Sequence, residues 1–548
     1  VAEWLARAPD AATCLQSTTL AEGPPLPDDP GLRPKVEAVR AQLERVRVEA
    51  DAGRIDSARA RLEQAMRDAE ALGFAPLVAE VHYTAGAFHR ERSEYQRAMT
   101  EFDAAIITAQ AAGYDRAAGK AAAQAAFLAA ARMADLPQAQ QRLRRSEALL
   151  ERVDGHPDVA AEVGQAQFAV FSAEGRYDAA EKVMLQMLAS VPRQTDAERL
   201  DVATLLGNAA IAAARQGKDA LALTRFAEVV ELRRAVLGAR HPVVGLAMLN
   251  LGHAQQTLSD KDEALATYRT AYDILSSHRG VDPRAVAQVL NGMSNIHRFV
   301  GDYEEALDKT EAALKILRRD DGPDGPDVAL TLMNTATSHR YLGNLDEARR
   351  LSREALDIRE RLLPPTHPVL AQSLYSLGGL ELEARNFDEA ETLLTRALAI
   401  RVGAYGEDHR ETVRDRVALV FVAIDRDRLE EALPHFERLR TLASVMPDED
   451  DLAPWAWLAI GEVELAQARY EEATTSLERA LRSVERTGAG PRARGDGRYA
   501  LAKARRAVGD HARAQTLLDA AIEDFTLDGP GSTRQRDEAK ALAEHWAQ

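Results

Sequence analysis

The sequence predicts an all-α protein, a right-handed superhelical solenoid of about twelve helical hairpins closed by a C-terminal capping helix. Three observations predict it. Alanine, leucine, arginine and glutamate dominate the 548 residues, aromatics make up 5%, and runs of valine, isoleucine and threonine are almost absent, which favours helix over strand. A short acidic turn ending in alanine, GDYEEA at 301–306, returns as GRYDAA at 175–180, GNLDEA at 343–348, RNFDEA at 385–390, ARYEEA at 468–473 and GDHARA at 509–514. The closing alanine falls at Ala58, Ala98, Ala139, Ala180, Ala222, Ala264, Ala306, Ala348, Ala390, Ala432, Ala473 and Ala514, in steps of 40, 41, 41, six of 42, and two of 41. A long chain with such a period is an array in which each unit packs on its neighbours.

Each unit divides into two helices around that marker alanine. Twelve residues before it stands a small residue in most copies, Gly86, Ala210, Gly252, Ser294, Ala336, Gly378, Gly461 and Ala502. Seven after it stands another: Ala105, Ala271, Ala313, Ala355, Ala397, Ala480 and Ala521. Helices that cross closely need small side chains at the crossing, and Leu206, Leu290, Leu332 and Leu374 fill the space between crossings. The marker therefore begins helix B, and the earlier small residue lies on helix A. In the turn, Gly or Asn ends helix A, an aromatic or leucine plugs the corner, and Asp or Glu meets the positive end of helix B. GDYEEA is thus punctuation, with no catalytic role for its carboxylates. Even VALVFVAI at 417–424, the nearest thing to a strand, lies inside a helical period.

The organisation follows. Residues 1–32 form a linker containing the proline-rich EGPPLPDDPG, expected to be poorly ordered unless the preceding WLARAPDAATCL docks. Residues 33–195 hold about four N-terminal repeats, 196–440 about six units of 42 residues, and 441–531 about two more. Residues 532–548 read as the capping helix, opened by a capping serine or threonine. GAGPRARGDG at 488–497 reads as a loop between the helices of adjacent repeats.

Small residues at relative positions 8, 20 and 27 of a helical hairpin are the pattern of the tetratricopeptide repeat, which the chain resembles along nearly its whole length. The usual period is ~34 residues, and one of 42 also suits HEAT units; the offsets of twelve and seven decide for the tetratricopeptide. The extra residues add about one turn to each helix, as in the long repeats of kinesin light chain. HPVVGLAMLNLG at 241–252, HPVLAQSLYSLG at 367–378 and the loops PPTHP and YGEDH are similar to that subfamily, repeats five to ten most closely.

A net charge of −17 and a pI near 5.4 argue against a general binder of nucleic acid or anionic membrane. Cys14 is the only cysteine, so no internal disulfide or cysteine-based zinc cage can form, and a cytoplasmic location is expected. No basic segment followed by an apolar core opens the chain, and no apolar run reaches membrane-spanning length. The first residue is not Met, and the expectation is a fragment of a longer protein.

No catalytic site is expected: the chain carries no phosphate loop, GxSxG elbow, HExxH or DFG. No cofactor and no metal are implied. The acidic DDGPDGPD at 320–327 lacks the oxygen spacing and closing glutamate of a calcium loop, and the glycines of GAGPRARGDG follow a helix rather than a strand. His297 and His339, each nine residues before its marker, are expected to pack between helices with a satisfied ring nitrogen rather than to act as ligands or proton carriers.

The resemblance implies that one face of each helix A lines a concave groove, with repeat positions 5, 6, 9 and 12 pointing inward. Asn208, Asn250 and Asn334 stand at position 6, Asn291 at 5, Asn295 at 9, and Arg298 and Arg340 at 12. Gln256 lies on the same surface and Arg215 one place further along. Asparagine is unfavourable within a helix, so its recurrence on one face needs a reason. Its donor and acceptor can pair with an extended peptide backbone, or alternatively with the neighbouring helix A. The expectation is a groove for an extended peptide or partner protein, the arginines favouring an acidic peptide or a free carboxylate.

A second resemblance concerns what the groove serves. CLQSTTLAEGPPLPDDP at 14–30 and VRVEADAGRIDSARARLEQAMRDAEALGFAPLVAEVHYTAGAF at 46–88 look like the region after the catalytic domain of large bacterial serine/threonine kinases with tetratricopeptide tails. It spans roughly residues 1–130 and implies a kinase domain upstream, since none of the kinase's own motifs is in this chain. The rival readings are the sensor arm of a signalling ATPase, a stand-alone adaptor, and an enzyme built into the solenoid.

Overall fold

A computed structural model describes residues 24–548 except 93, 134, 259–260, 279–280 and 321. WLARAPDAATCL and Cys14 lie outside the described residues. The described residues form twenty-five α-helices and no strand, an all-α repeat solenoid.

Packing divides the chain into two units, up to Val281 and from Asp282. The first unit holds six hairpins: α1 (Arg33–Asp51) with α2 (Ile55–Leu72), α3 (Ala75–Glu91) with α4 (Tyr95–Ala111), α5 (Asp115–Ala131) with α6 (Leu136–Arg152), α7 (Pro157–Ala173) with α8 (Tyr177–Ser190), α9 (Asp196–Arg215) with α10 (Asp219–Leu237), and α11 (Pro242–Thr257) with α12 (Lys261–Ser276). The second holds α13 (Pro283–Val300) with α14 (Tyr303–Asp320), α15 (Pro326–Tyr341) with α16 (Leu345–Leu362), α17 (Pro368–Glu383) with α18 (Phe387–Tyr405), α19 (Arg410–Asp425) with α20 (Leu429–Val445), α21 (Ala453–Ala466) with α22 (Tyr470–Thr487), and α23 (Pro491–Ala507) with α24 (His511–Asp528). A 3-10 turn, Pro530–Ser532, then leads into α25 (Thr533–Ala547).

Every marker alanine is the fourth residue of its helix B and is buried to within 1%. The crossing beneath it is tight. A Cβ placed on Gly252 would lie 2.6 Å from the Tyr268 ring, and one on Gly461 would lie 2.5 Å from Leu477. Where the small residue is Ser294, its hydroxyl donates to the Ala306 carbonyl at 2.8 Å. The turn residue five places before the marker has a left-handed backbone: Gly53, Gly175, Gly217, Gly301, Gly343 and Gly509, but also Arg385, Asp427 and Ala468, at φ 62°, 58° and 58°. One carboxylate or two follow in the first turn of most helices B, as at Glu304 and Glu305 or Asp346 and Glu347.

Two local expectations are corrected. GAGPRARGDG is a loop only over 488–490; PRARGDG is the first two turns of α23. Its glycines serve packing, because a Cβ on Gly495 would stand 2.6 Å from the Phe525 ring and one on Gly497 2.9 Å from Leu481. Ser532 does not cap α25 with its side chain; its hydroxyl donates instead to Asp528 at 2.7 Å. The described end of the proline-rich linker is tied down, Arg40 donating to the Pro25 carbonyl at 2.8 Å and Arg33 to that of Pro27 at 3.1 Å.

The second unit closes on itself. The turn Pro530–Ser532 lies against the end of α15, where a Cβ on Gly343 would be 3.4 Å from Pro530. Beyond it, α25 lays Ala539, Leu542 and Trp546 over the apolar edge left by α23 and α24, with Arg506 5.0 Å above the Trp546 ring. Buried ions stitch two repeat joints in this unit: Arg359 donates to Ser373 at 2.6 Å, and Arg401 to Asp415 at 2.5 Å.

Candidate functional site

The asparagines at positions 5 and 6 mostly hydrogen-bond between adjacent helices A. In the first unit, Asn208 of α9 reaches Gln165 of α7 at 3.4 Å, Asn250 is half-buried on α11, and Arg215 is exposed at the end of α9. The Gln256 carbonyl oxygen accepts from the Tyr268 hydroxyl at 3.1 Å and so faces helix B of its own hairpin. In the second unit, Asn291 donates to Thr331 at 2.9 Å, and Asn334 donates to Asn291 at 3.4 Å.

The position-12 arginines differ from each other. Arg298 donates one Nη to Asn295 at 2.7 Å while its Nη1 is buried with no acceptor, and burial lowers its pKa. Arg340 instead clasps Glu383, with Nε 3.0 Å from both carboxylate oxygens. His297 is buried, its Nδ1 3.6 Å from Asp302, and His339 lies 3.5 Å from Asn344.

Positions 5 and 9 of repeats eight to twelve, with position 12 of repeats eight to ten, converge on a chamber of about 660 Å³, lined by α15, α17, α19, α21 and α23 and roofed by α25. Position 5 contributes Met333, Tyr375, Val417, Leu458 and Tyr499; position 9 contributes Thr337, Gly379, Phe421, Glu462 and Lys503. Of the residues expected in the groove, Arg340 is the one on this lining. The others that matter were not anticipated. The same spacing, continued into repeats nine to twelve, points to Tyr375, Phe421, Glu462, Tyr499 and Lys503. Arg492 and Asp496 were hidden in the stretch that reads as a loop.

The charges in the chamber are arranged unevenly. Arg492 Nη2 crosses from α23 to Glu383 on α17 at 2.8 Å, so two guanidinium groups share one carboxylate. Burial works to raise the Glu383 pKa, but Arg340 and Arg492 overrule it and hold it low. Lys503 donates to both oxygens of Glu462, at 3.2 and 3.3 Å, and lies 5.0 Å from the centre of the Tyr499 ring. Asp496 accepts no hydrogen bond among the described residues; its nearest cation is Arg492 Nε at 4.0 Å. Burial pushes its carboxyl up to about 6, against the pull of Arg492 and with the help of Glu462, Asp528 and Glu383. Its side chain is 25% exposed and lies on the chamber's lining. The Asp425 pKa is also raised by burial, opposed by Arg534 and Arg385 and reinforced by Glu462 and Glu538.

Among the described residues, no group of three or more His, Cys, Asp or Glu could hold a metal ion, and no helix is long and apolar enough to cross a membrane. An array of helical hairpins with its chemistry on the inward faces of helices A is a protein-interaction scaffold. Two sequence models of the tetratricopeptide repeat match, one over residues 201–277, 285–361, 333–401 and 369–444, the other over 43–115. They cover more than half the chain, which belongs to the tetratricopeptide repeat family. Neither match is to a catalytic domain.

No curated protein matches the chain in a sequence search. Solved structures that resemble it include the nearly identical TPR-like repeats of a Podosopora anserina kinesin light chain (18% identity, 38% of this chain and 99% of that one, TM-score 0.33). BtubC (BKLC) from P. vanneervenii matches at 20% identity over 49% and 91%, TM-score 0.32. A Rap protein complexed with Competence and Sporulation Factor matches at 15% identity over 66% and 96%, TM-score 0.45.

Proposed function

We propose that this scaffold receives an extended peptide, or a projecting segment of a partner protein, on the inward faces of its helices A, and that it is the regulatory tail of a bacterial serine/threonine kinase working in the cytoplasm. The observation that carries the binding reading is the chamber, where five successive helices A turn aromatic and charged side chains on one partly open cavity. The Arg298 guanidinium, half-buried beside Asn295 with one donor unmet among the described residues, suits an acidic side chain or free carboxylate of the ligand. Arg340 suits it less, because Glu383 already neutralises it. The kinase reading is supported by the resemblance of residues 1–130.

A random-peptide library screened against the purified chain tests the binding reading. Selected peptides are expected to crosslink to helices A, to lose affinity with added salt, and to bind Arg298→Glu more weakly than Asn291→Ala or Asn334→Ala. Peptides that crosslink only to helices B or loops, and ignore both salt and Arg298→Glu, would reject it. The kinase reading is tested by joining the chain to the domain encoded upstream: phosphorylation profiles identical with and without residues 33–548 would dismiss it.

A further inference from the structure

The chamber carries a demand that its own residues leave unmet. Three of the cations that line it are hydrogen-bonded to carboxylates, Arg340 and Arg492 to Glu383 and Lys503 to Glu462, while Arg534 lines it without such a bond among the described residues. Two carboxylates are likewise left over. Asp425 on α19 and Asp496 on α23 accept no hydrogen bond among the described residues, and each stands close enough to Glu462 on α21, the helix A between theirs, to feel its charge. Arg534 and Arg385 act on Asp425 only at longer range, without a hydrogen bond. Asp425 is exposed and the Asp496 side chain 25% exposed, so both are open to a ligand, and a carboxylate without donors is satisfied either by protonation or by a counter-charge.

The walls say which kind of counter-charge. On α19, Phe421 lies one turn from Asp425; on α23, Tyr499 lies one turn from Asp496; all four line the chamber. Each unpaired carboxylate thus has an aromatic ring beside it on the same helix face. A carboxylate next to a ring is the surrounding that an alkylammonium or guanidinium group prefers, with charge on one side and a π-face on the other. Lys503 already sets an ammonium group against the Tyr499 ring. A bare metal ion fits poorly, because among the described residues no group of three or more His, Cys, Asp or Glu could hold one. The volume, about 660 Å³, lies inside the roughly 300–1,000 Å³ range of pockets that enclose small organic ligands.

From this we infer that the chamber of repeats eight to twelve is a binding site for an organic cation, an amine or guanidinium group on an apolar body, seated between Asp425 and Asp496 with its body against Phe421, Trp455 and Tyr499. The inference rests on the reading of the helix A faces as the binding surface and adds a cationic group, held in the chamber, to the acidic group proposed at Arg298, which is not on the chamber's lining. Two sources share that chemistry: a free small amine, and a lysine or arginine side chain presented by a partner.

Calorimetric titration with phenylbutylamine, phenylbutanol and phenylbutanoate, matched in body and differing in charge, tests it on the full chain. The amine is expected to bind about tenfold tighter than the alcohol, and the carboxylate weakest. Asp425→Asn combined with Asp496→Asn, isosteric and checked for an unchanged helical signal, is expected to abolish that preference. Adding Ac-Phe-Lys-Leu-NH2 and its glutamine counterpart separates the sources: capture of the lysine peptide points to a partner's side chain, and capture of the amine alone to a small molecule. An amine that binds no better than the alcohol, or a preference that survives the double variant, overturns the inference. If library peptides still crosslink to helices A in that event, the scaffold reading stands without it; if they do not, both fall.

Discussion

The two units place the same residue types at the same repeat positions and reach opposite outcomes. In the first, Tyr83 stands at position 5, Arg90 at 12 and Glu162 at 2; in the second, Tyr499, Arg340 and Asp496 occupy those positions. The first unit consumes its polar groups in a ladder across α3, α5 and α7: Arg90 bonds Gln124, Gln124 bonds Glu162, and the Tyr83 hydroxyl donates to Glu162 at 3.2 Å. The second leaves Asp496 facing the chamber with no hydrogen-bond donor among the described residues. A repeat position therefore does not fix a role. Satisfied by the neighbouring helix, an inward polar residue becomes mortar; left over, it becomes a site.

The sharpest way to break this comparison is to overpack one unit and watch the other. Gly252→Leu in the first unit or Gly461→Leu in the second drives a side chain into Tyr268 or Leu477 and should cost about 1–3 kcal/mol or more. Hydrogen exchange should show lost protection centred on the substituted hairpin and its neighbours, as expected when each repeat leans mainly on the next. Protection lost evenly through both units would mean that they unfold as one body.

A pH series sharpens it further. Asp496 is raised in the folded chain to about 6, so its contribution is full below the ordinary aspartate range and is lost as pH rises through 6. Glu181 in the first unit is the reverse: burial would raise it, but hydrogen bonds from Arg225, Lys218 and Gln216 hold it at about 2, so its contribution is present at neutral pH and fades as pH falls towards 2. Moving from pH 7 to pH 5 should therefore protect α23 and its neighbours, and moving on to pH 3 should loosen α8 to α10. Exchange corrected for its intrinsic rate reads both, and Asp496→Asn should flatten the first change alone.

The smallest expected effect concerns the turns. Those described in the first unit use glycine at the left-handed position, whereas the second carries Arg385, Asp427 and Ala468 there. Ala468→Gly should stabilise by up to about 1 kcal/mol by relieving a conformation that costs a side chain roughly that much. An unchanged or lowered denaturation midpoint would show that α21 and α22 hold the turn at no such cost.

The turns were the most legible part of the sequence because they are local: capping, dipole and small-residue signals all lie within a few residues of each marker alanine. The chamber was half legible. Its positions 5, 9 and 12 follow from the same spacing, and Arg340 was found by it. Arg492 and Asp496 were not, because Gly495 and Gly497 signal a loop by propensity, and only contact with Phe525 and Leu481 makes them helical. Nor does any local pattern announce the bond from Arg492 to Glu383, 109 residues apart. The asparagines read as peptide ligands largely pair with their neighbours, a choice that the amide's donor and acceptor leave open in the sequence.

The contact of Pro530 with Gly343 makes the second unit sensitive to arithmetic. Most repeat arrays tolerate gain or loss of a unit, since each hairpin meets only those beside it. Here the cap must come back to α15 after a fixed number of hairpins. Duplicating or deleting one hairpin between Leu345 and Asp528 would leave every local contact intact and still carry Pro530 past its seat. The number of copies, a quantity that repeat genes change readily, is in this unit a dimension of the chamber.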